Sequence, residues 1–251
     1  MPQYAVVGQR LPRVDGIPKA TGEARYAADL SLPGMLYGKI LRSPYPHARI
    51  LNIDTSRAQS LVGVKGVVTG KDTLGIKCGI SPIPELLDEQ ALTTEKVRYM
   101  GEPVAAVAAT DEDIAEEALG LIRVEYEPLP AVFDPVEAMK EGAPQIHAVD
   151  RNIAFIVRHS AGDVEEGFRQ SDYVREDTFS IQCNIHSALE THACLASFDR
   201  SGKLTIWPSN QRPFLLRDDL AQTLGLRSGD IRVIQPHVGG GFGGKGHLEA
   251  V

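Results

Sequence analysis

Short alternations of apolar and polar residues fill the first half of the chain. Residues 48–54 (ARILNID) alternate with a period of two, which places one face of a strand against a core. Residues 35–42 (MLYGKILR), 64–69 (VKGVVT) and 96–99 carry strand-compatible mixtures, with Pro44 and Pro46 breaking the first of these. Residues 104–109 (VAAVAA) are continuously apolar, which predicts a strand buried on both faces. The turn before them is Gly101-Glu102-Pro103. Residues 56–61 predict a short helix. The clearest helix spans 111–121: Thr110 or Asp111 can cap it, and Ile114, Ala118, Leu121 and Ile122 recur on one face. Its charge run, from Asp111 to Glu117, predicts a solvated face. A strand over 122–126 closes this half near Pro128-Leu129-Pro130. Residues 14–27 predict turns without a periodic element, and 82–92 predict an acidic surface loop.

A turn-rich stretch over 135–144 with one short helix reads as a connection, and the pattern then restarts. Strands are predicted over 153–158, 173–182 and 231–235. Residues 195–199 and 203–207 flank Arg200-Ser201-Gly202 as a hairpin. Helices are predicted over 163–171, capped by Asp163, and over 215–224, stopped by Gly225. The fold class is α+β, in two domains covering 1–135 and 136–251.

Composition narrows the classes. Hydrophobic residues at 43% can build a packed core. The net charge of −7, with no Lys/Arg cluster, argues against a nucleic-acid binder. No apolar run is long enough to span a bilayer, and the N-terminus lacks an apolar signal core, so the expected compartment is cytoplasmic. Cys78, Cys183 and Cys194 form neither a disulfide framework nor a C-x-x-C metal site; they read as reduced, mostly buried thiols.

The densest chemical signal is 231–247, IRVIQPHVGGGFGGKGH. Gly239, Gly240, Gly241, Gly243, Gly244 and Gly246 surround Phe242 and Lys245. Glycines let backbone N–H groups approach a ligand closely, and successive amides make an anion-binding concavity. A helix beginning at His247 would add its positive end. The loop also satisfies loose dinucleotide and Walker patterns, but Gly246 stands where the Walker magnesium ligand requires Ser or Thr. Glu190 and His192 would share a strand face, and a structural hydrogen-bonding role is favoured for them over a metal or acid/base one. His186, His237 and His247 lack metal-ligand spacing.

Five stretches in this order resemble the molybdenum hydroxylases of the xanthine dehydrogenase and aldehyde oxidase family. They are 8–30 (GQRLPRVDGIPKATGEARYAADL), 41–50 (LRSPYPHARI), 97–119 (VRYMGEPVAAVAATDEDIAEEAL), 189–199 (LETHACLASFD), and Ser209-Asn210-Gln211 with 238–245. The overall pattern is most like bacterial large subunits such as 4-hydroxybenzoyl-CoA reductase. The resemblance implies an α/β hammerhead domain followed by the first part of a molybdopterin-binding domain. It implies oxidation of an aldehyde, aromatic or N-heterocyclic substrate at a molybdenum centre. The metal is held by a molybdopterin, often its cytosine dinucleotide, and not by protein side chains. Electrons pass to iron–sulfur and FAD partner subunits. By the same resemblance Gln211 hydrogen-bonds near the metal's apical oxygen. Phe242 and Gly243 bring main chain to the centre, and Gly240 and Gly241 give close backbone approach.

Two departures qualify the match. Purine-oxidising members carry Glu directly after Gly-Gly-Lys, where this chain has Gly246, so the match does not extend to purine binding. The family's general-base glutamate belongs to a stretch expected beyond residue 251, so no catalytic residue is assigned and the chain alone is expected to be inactive, a part of a large subunit. Two other function classes compete. One is a non-catalytic assembly module that binds the partner subunits. The other is a nucleotide-binding enzyme using the glycine loop.

Overall fold

The computed structural model describes residues 4–73, 76–78 and 88–246. The expected acidic loop over 82–92 and the expected helix from His247 fall partly or wholly outside them. The first helix, α1 (Gly16–Thr21), lies where Gly and Pro predict turns only. Pro18 is tolerated because backbone N–H groups in a first turn have no helical acceptor. Gly22, at φ 79°, ends the helix in the left-handed region.

The strands β1 (Tyr37–Arg42), β2 (Ala48–Asp54), β3 (Val64–Thr69), β4 (Lys77–Cys78), β5 (Glu89–Gln90), β6 (Lys96–Val97), β7 (Pro103–Ala109) and β8 (Arg123–Pro128) build the first half. Helices α2 (Ser56–Gln59) and α3 (Glu112–Leu121) lie between them. One antiparallel sheet has the order β1-β7-β3 and a second has β6-β2-β8. The continuously apolar strand is the central one, β7, as burial on both faces requires. On one side Ala105 and Val107 pack against Ala118 of α3, Ile122 just past its end and Ala58 of α2. On the other, Val104 meets Ala48 and Val97. Alanines on β7 and α3 let sheet and helix approach closely. Asp111 caps α3 by accepting from the N–H of Asp113 at 2.9 Å. The acidic face of the helix is solvated, with Glu112 reached by Lys39 at 2.7 Å.

A connecting stretch follows, with a short helix α4 (Pro135–Ala138) capped by Asp134. Asn152 fastens it, donating to the carbonyls of Ala138 and Pro144 and accepting from the N–H of Ile146. Then come α5 (Val164–Gln170), capped by Asp163, the strands β9 (Cys194–Phe198) and β10 (Leu204–Pro208), α6 (Pro213–Leu224) and β11 (Ile231–Val233). β9 and β10 form the expected hairpin, with the Asp199 carboxylate accepting from the N–H groups of Ser201 and Lys203 across the turn. β11 lies parallel to β10 on its other side. α6 covers this sheet through Leu216, Leu220 and Ala221, against Leu204, Ile206 and Ile231. The architecture is thus α+β, with two three-stranded sheets in the first half and a third, covered by α6, in the second.

Two expected strands, 153–158 and 173–182, form no ladder among the described residues. Their apolar side chains face outward, Phe179 at 85% and Ile181 at 90% exposure. A strand needs a hydrogen-bonded neighbour and a surface for its apolar face, and the described residues offer neither there. The thiol expectation also fails in part: Cys183, in that unpaired stretch, and Cys194 are both exposed.

Leu216 is 2% exposed, so truncating it leaves a cavity that solvent does not fill. Leu216→Ala should lower stability by about 2–4 kcal/mol, read from urea denaturation. Asp111→Ala, which removes only a helix cap, should cost about 1 kcal/mol in the same assay.

Candidate functional site

Because β10 and β11 are parallel, their C-terminal ends lie side by side. That alignment delivers residues 209–211 and the glycine loop to one edge of the sheet. The two paths stay joined past the strands. The N–H of Ile234 donates to the Ile206 carbonyl at 2.9 Å, and Gln235 Nε2 donates to the Asn210 carbonyl at 2.7 Å. Ser209 and Asn210 are fully buried and held on both sides. Ser209 exchanges hydrogen bonds with the Ala193 main chain, while Asn210 Oδ1 accepts from the Arg212 N–H at 2.7 Å. On the approach to the loop, His237 donates its N–H to the Arg25 carbonyl at 3.1 Å. Its ring also lies against Tyr26.

Gln211 then meets the loop directly. Its N–H donates to the Lys245 carbonyl at 2.9 Å. Its side-chain Oε1 accepts from the N–H groups of Gly243 at 3.1 Å and Lys245 at 3.3 Å. With Oε1 committed to two donors, the amide orientation is fixed and Nε2 is the end presented outward. Nε2 has no partner among the described residues, and Gln211 is exposed.

The glycines make room for protein side chains as well as for a ligand. A Cβ on Gly241 would lie 2.4 Å from the Gln211 side chain, and one on Gly244 would lie 2.8 Å from the His186 ring. One on Gly239 would lie 2.5 Å from Cβ of Glu190. Three side chains therefore press into the loop where it has none of its own. The turn is completed by positive φ at Gly240 (102°), Phe242 (51°) and Gly243 (95°). Phe242 sits in the left-handed region, which costs a bulky residue free energy, and its ring is 72% exposed at the tip. The N–H groups of Gly240, Gly241 and Phe242 have no acceptor among the described residues. Three successive unpaired donors, with Gly241 buried, are unusual for main chain.

Glu190 and Lys245 complete the site. The carboxylate Oε2 accepts from the Gly239 N–H at 2.7 Å and from Lys245 Nζ at 2.5 Å. Lys245 is 1% exposed. Its ammonium therefore points inward and does not reach a phosphate in the loop, which removes the Lys that a Walker-type reading needs. Glu190 acts through hydrogen bonds, as favoured from sequence, although residues 190 and 192 precede the strand and share no strand face. His192 is held below the ordinary histidine range, first by desolvation and then by the charges of Lys245 and Arg42. His186 packs against the loop. Among the described residues no group of three or more His, Cys, Asp or Glu side chains is placed to hold a metal ion. The pairing of Glu190 with Lys245 has no signal in the sequence, because the partners are 55 residues apart and neither belongs to a periodic element.

The chain is similar to known proteins. Residues 21–130 match the family model described as aldehyde oxidase and xanthine dehydrogenase, a/b hammerhead domain. Residues 146–251 match the molybdopterin cofactor-binding domain. The chain is 42% identical over 236 residues to a probable xanthine dehydrogenase subunit of Bacillus subtilis, covering 94% of this chain and 31% of that one. It is 39% identical over 247 residues to the nicotinate dehydrogenase large molybdopterin subunit of Eubacterium barkeri, covering 96% and 56%. Among solved structures, quinoline 2-oxidoreductase from Pseudomonas putida superposes with a TM-score of 0.84 at 34% identity, covering 97% and 32%. The chain thus spans from about a third to just over half the length of the curated relatives it matches.

Gly241→Ala should push Gln211 or the loop out of place and lower stability by about 1–3 kcal/mol. Thermal unfolding reads this. A melting temperature equal to that of the parent chain would show that the loop adapts without cost.

Proposed function

The chain belongs to the aldehyde oxidase and xanthine dehydrogenase family, and we propose that it forms the first part of a molybdopterin-binding large subunit of a molybdenum hydroxylase. In this reading 1–135 is the hammerhead domain and 136–251 begins the cofactor domain. The observation that carries it is the joined edge at Gln211 and the glycine loop. There the N–H groups of Gly240, Gly241 and Phe242 have no acceptor among the described residues, in a loop that packs on the Gln211 side chain at Gly241. Such a set of preorganised donors fits an oxygen-bearing, anionic group and offers nothing to a bare cation.

Molybdopterin, when bound, supplies the molybdenum centre at which an electron-poor carbon is oxidised. The chain's own residues bind and orient. Gln211 Nε2 would donate a hydrogen bond to the group, its Oε1 being held by the loop. The Gly240, Gly241 and Phe242 amides hold further acceptors, and Gly243 supplies the backbone turn while its N–H keeps Gln211 in place. Cofactor binding is thus assigned to Gln211, Gly240, Gly241 and Phe242 by their donors, and to Gly243 by the turn that lets the main chain approach. The cytosine dinucleotide is the expected form of the pterin. The substrate class is an aldehyde, aromatic or N-heterocyclic compound.

The partners in this reading are the rest of the large subunit, an iron–sulfur subunit and an FAD subunit. The outward apolar side chains of 153–158 and 173–185 support the first of these. A solvent-facing row of this size is a surface awaiting another polypeptide. No helix among the described residues is long and apolar enough to cross a membrane, and we place the assembly in the cytoplasm.

Purification of the complex that carries this chain, with molybdenum measured by mass spectrometry and pterin by fluorescence, tests the reading. Absence of both overturns it. In the loaded complex Gln211→Ala should lower turnover roughly 10–100-fold with molybdenum retained. Gly243→Val, which forces a β-branched residue to a φ of 95°, should instead lower molybdenum and pterin content together.

A further inference from the structure

The glycine loop is closed by one carboxylate. Glu190 Oε2 takes the N–H of Gly239, the first residue of the loop, at 2.7 Å. The same oxygen takes the ammonium of Lys245, the last, at 2.5 Å. Both side chains are out of water, at 10% and 1% exposure. Lys245 is also the residue whose main chain receives Gln211 on both sides. Its N–H donates to Gln211 Oε1 at 3.3 Å, and its carbonyl accepts the Gln211 N–H at 2.9 Å. The connection therefore runs from Glu190 through Lys245 to the orientation of the Gln211 amide.

A buried ion pair is poor evidence for stability, because desolvation offsets the attraction and apolar replacements often do as well. Its geometry is the better clue. A pair serving stability alone has no reason to span both ends of a side-chain-poor loop. Glycine-rich main chain carries the largest conformational entropy and gains most from an external anchor.

We propose that Glu190 and Lys245 are positioning residues: together they fix the shape of the 239–245 loop and the direction of Gln211 Nε2 before any ligand arrives. This rests on the function proposed above only for the identity of the ligand. The anchoring itself is a property of the chain.

The test compares Lys245→Arg, Lys245→Met and the double variant Glu190→Gln/Lys245→Met, in the full chain and in its complex. Amide hydrogen exchange across 239–245, melting temperature, and molybdenum and pterin content are read in each. Arg keeps a charged donor for Glu190. Met keeps the length without the charge. The double variant removes the stranded carboxylate charge that Met alone leaves behind.

The expected result is a loop exchanging at least tenfold faster in Lys245→Met and in the double variant. The double variant should keep a melting temperature near that of the parent and lose molybdenum and pterin several-fold. Lys245→Arg should retain most of the protection and most of the cofactor. Equal loop exchange and equal cofactor content in the Arg, Met and double variants would overturn the proposal. So would a fall in melting temperature that tracks loop exchange in every variant, which assigns the pair to general stability. If the parent complex carries no molybdenum or pterin, the functional reading fails, and the exchange comparison still decides the anchoring.

Discussion

A loop made mostly of glycine has no side chains with which to hold itself, so its shape must be imposed by its surroundings. The parallel pairing of β10 and β11 is the constraint on which that depends here. It brings Gln211 and the loop to the same edge. Three side chains then enter the space that the glycines leave, Glu190 at Gly239, Gln211 at Gly241 and His186 at Gly244. The loop is smooth on the side that meets protein. Among the described residues it keeps three successive N–H groups, of Gly240, Gly241 and Phe242, without an acceptor. Close packing and ligand readiness thus come from the same substitution pattern.

The two halves use their cores differently. In the first, β7 is shared between packing groups, so helix α3 and both sheets are referred to one buried strand. In the second, one small cluster joins α6 to β10 and β11, and the remaining apolar residues are left outside it. Burial of apolar surface is the main favourable term in folding. The first half collects that term by itself, whereas the second collects it only near the edge that carries the loop.

Local signals explain what could be read in advance. The alternation of 48–54 is β2 to the residue, and 104–109 falls in the central strand because its apolar run lacks a polar face. Asp111, Asp163 and Gly225 mark helix ends through backbone chemistry within a few residues of themselves. The failures are of another kind. The run 173–182 has strand composition, but a strand is completed by a partner, and composition cannot say whether one is present. Lys245 falls within a loose Walker pattern, which assigns its side chain no partner in this chain. Only the fold reveals Glu190 across the loop and turns the ammonium inward. Gln211 and the loop glycines were legible as a group, while the division of labour among their donors was not. It depends on which N–H meets which oxygen in three dimensions.

The bridge between Tyr26 and His237 also bears on how the molecule is made. It joins the N-terminal segment to the residues just ahead of the glycine loop, more than two hundred positions later. During synthesis the early partner emerges first and waits. At translation rates of roughly 5–20 residues per second, that wait is on the order of ten seconds or more. The hammerhead core, built from nearer neighbours, can close within it. The edge that carries the loop is assembled only afterwards, so a chain interrupted before His237 carries its early residues without the edge they help to complete.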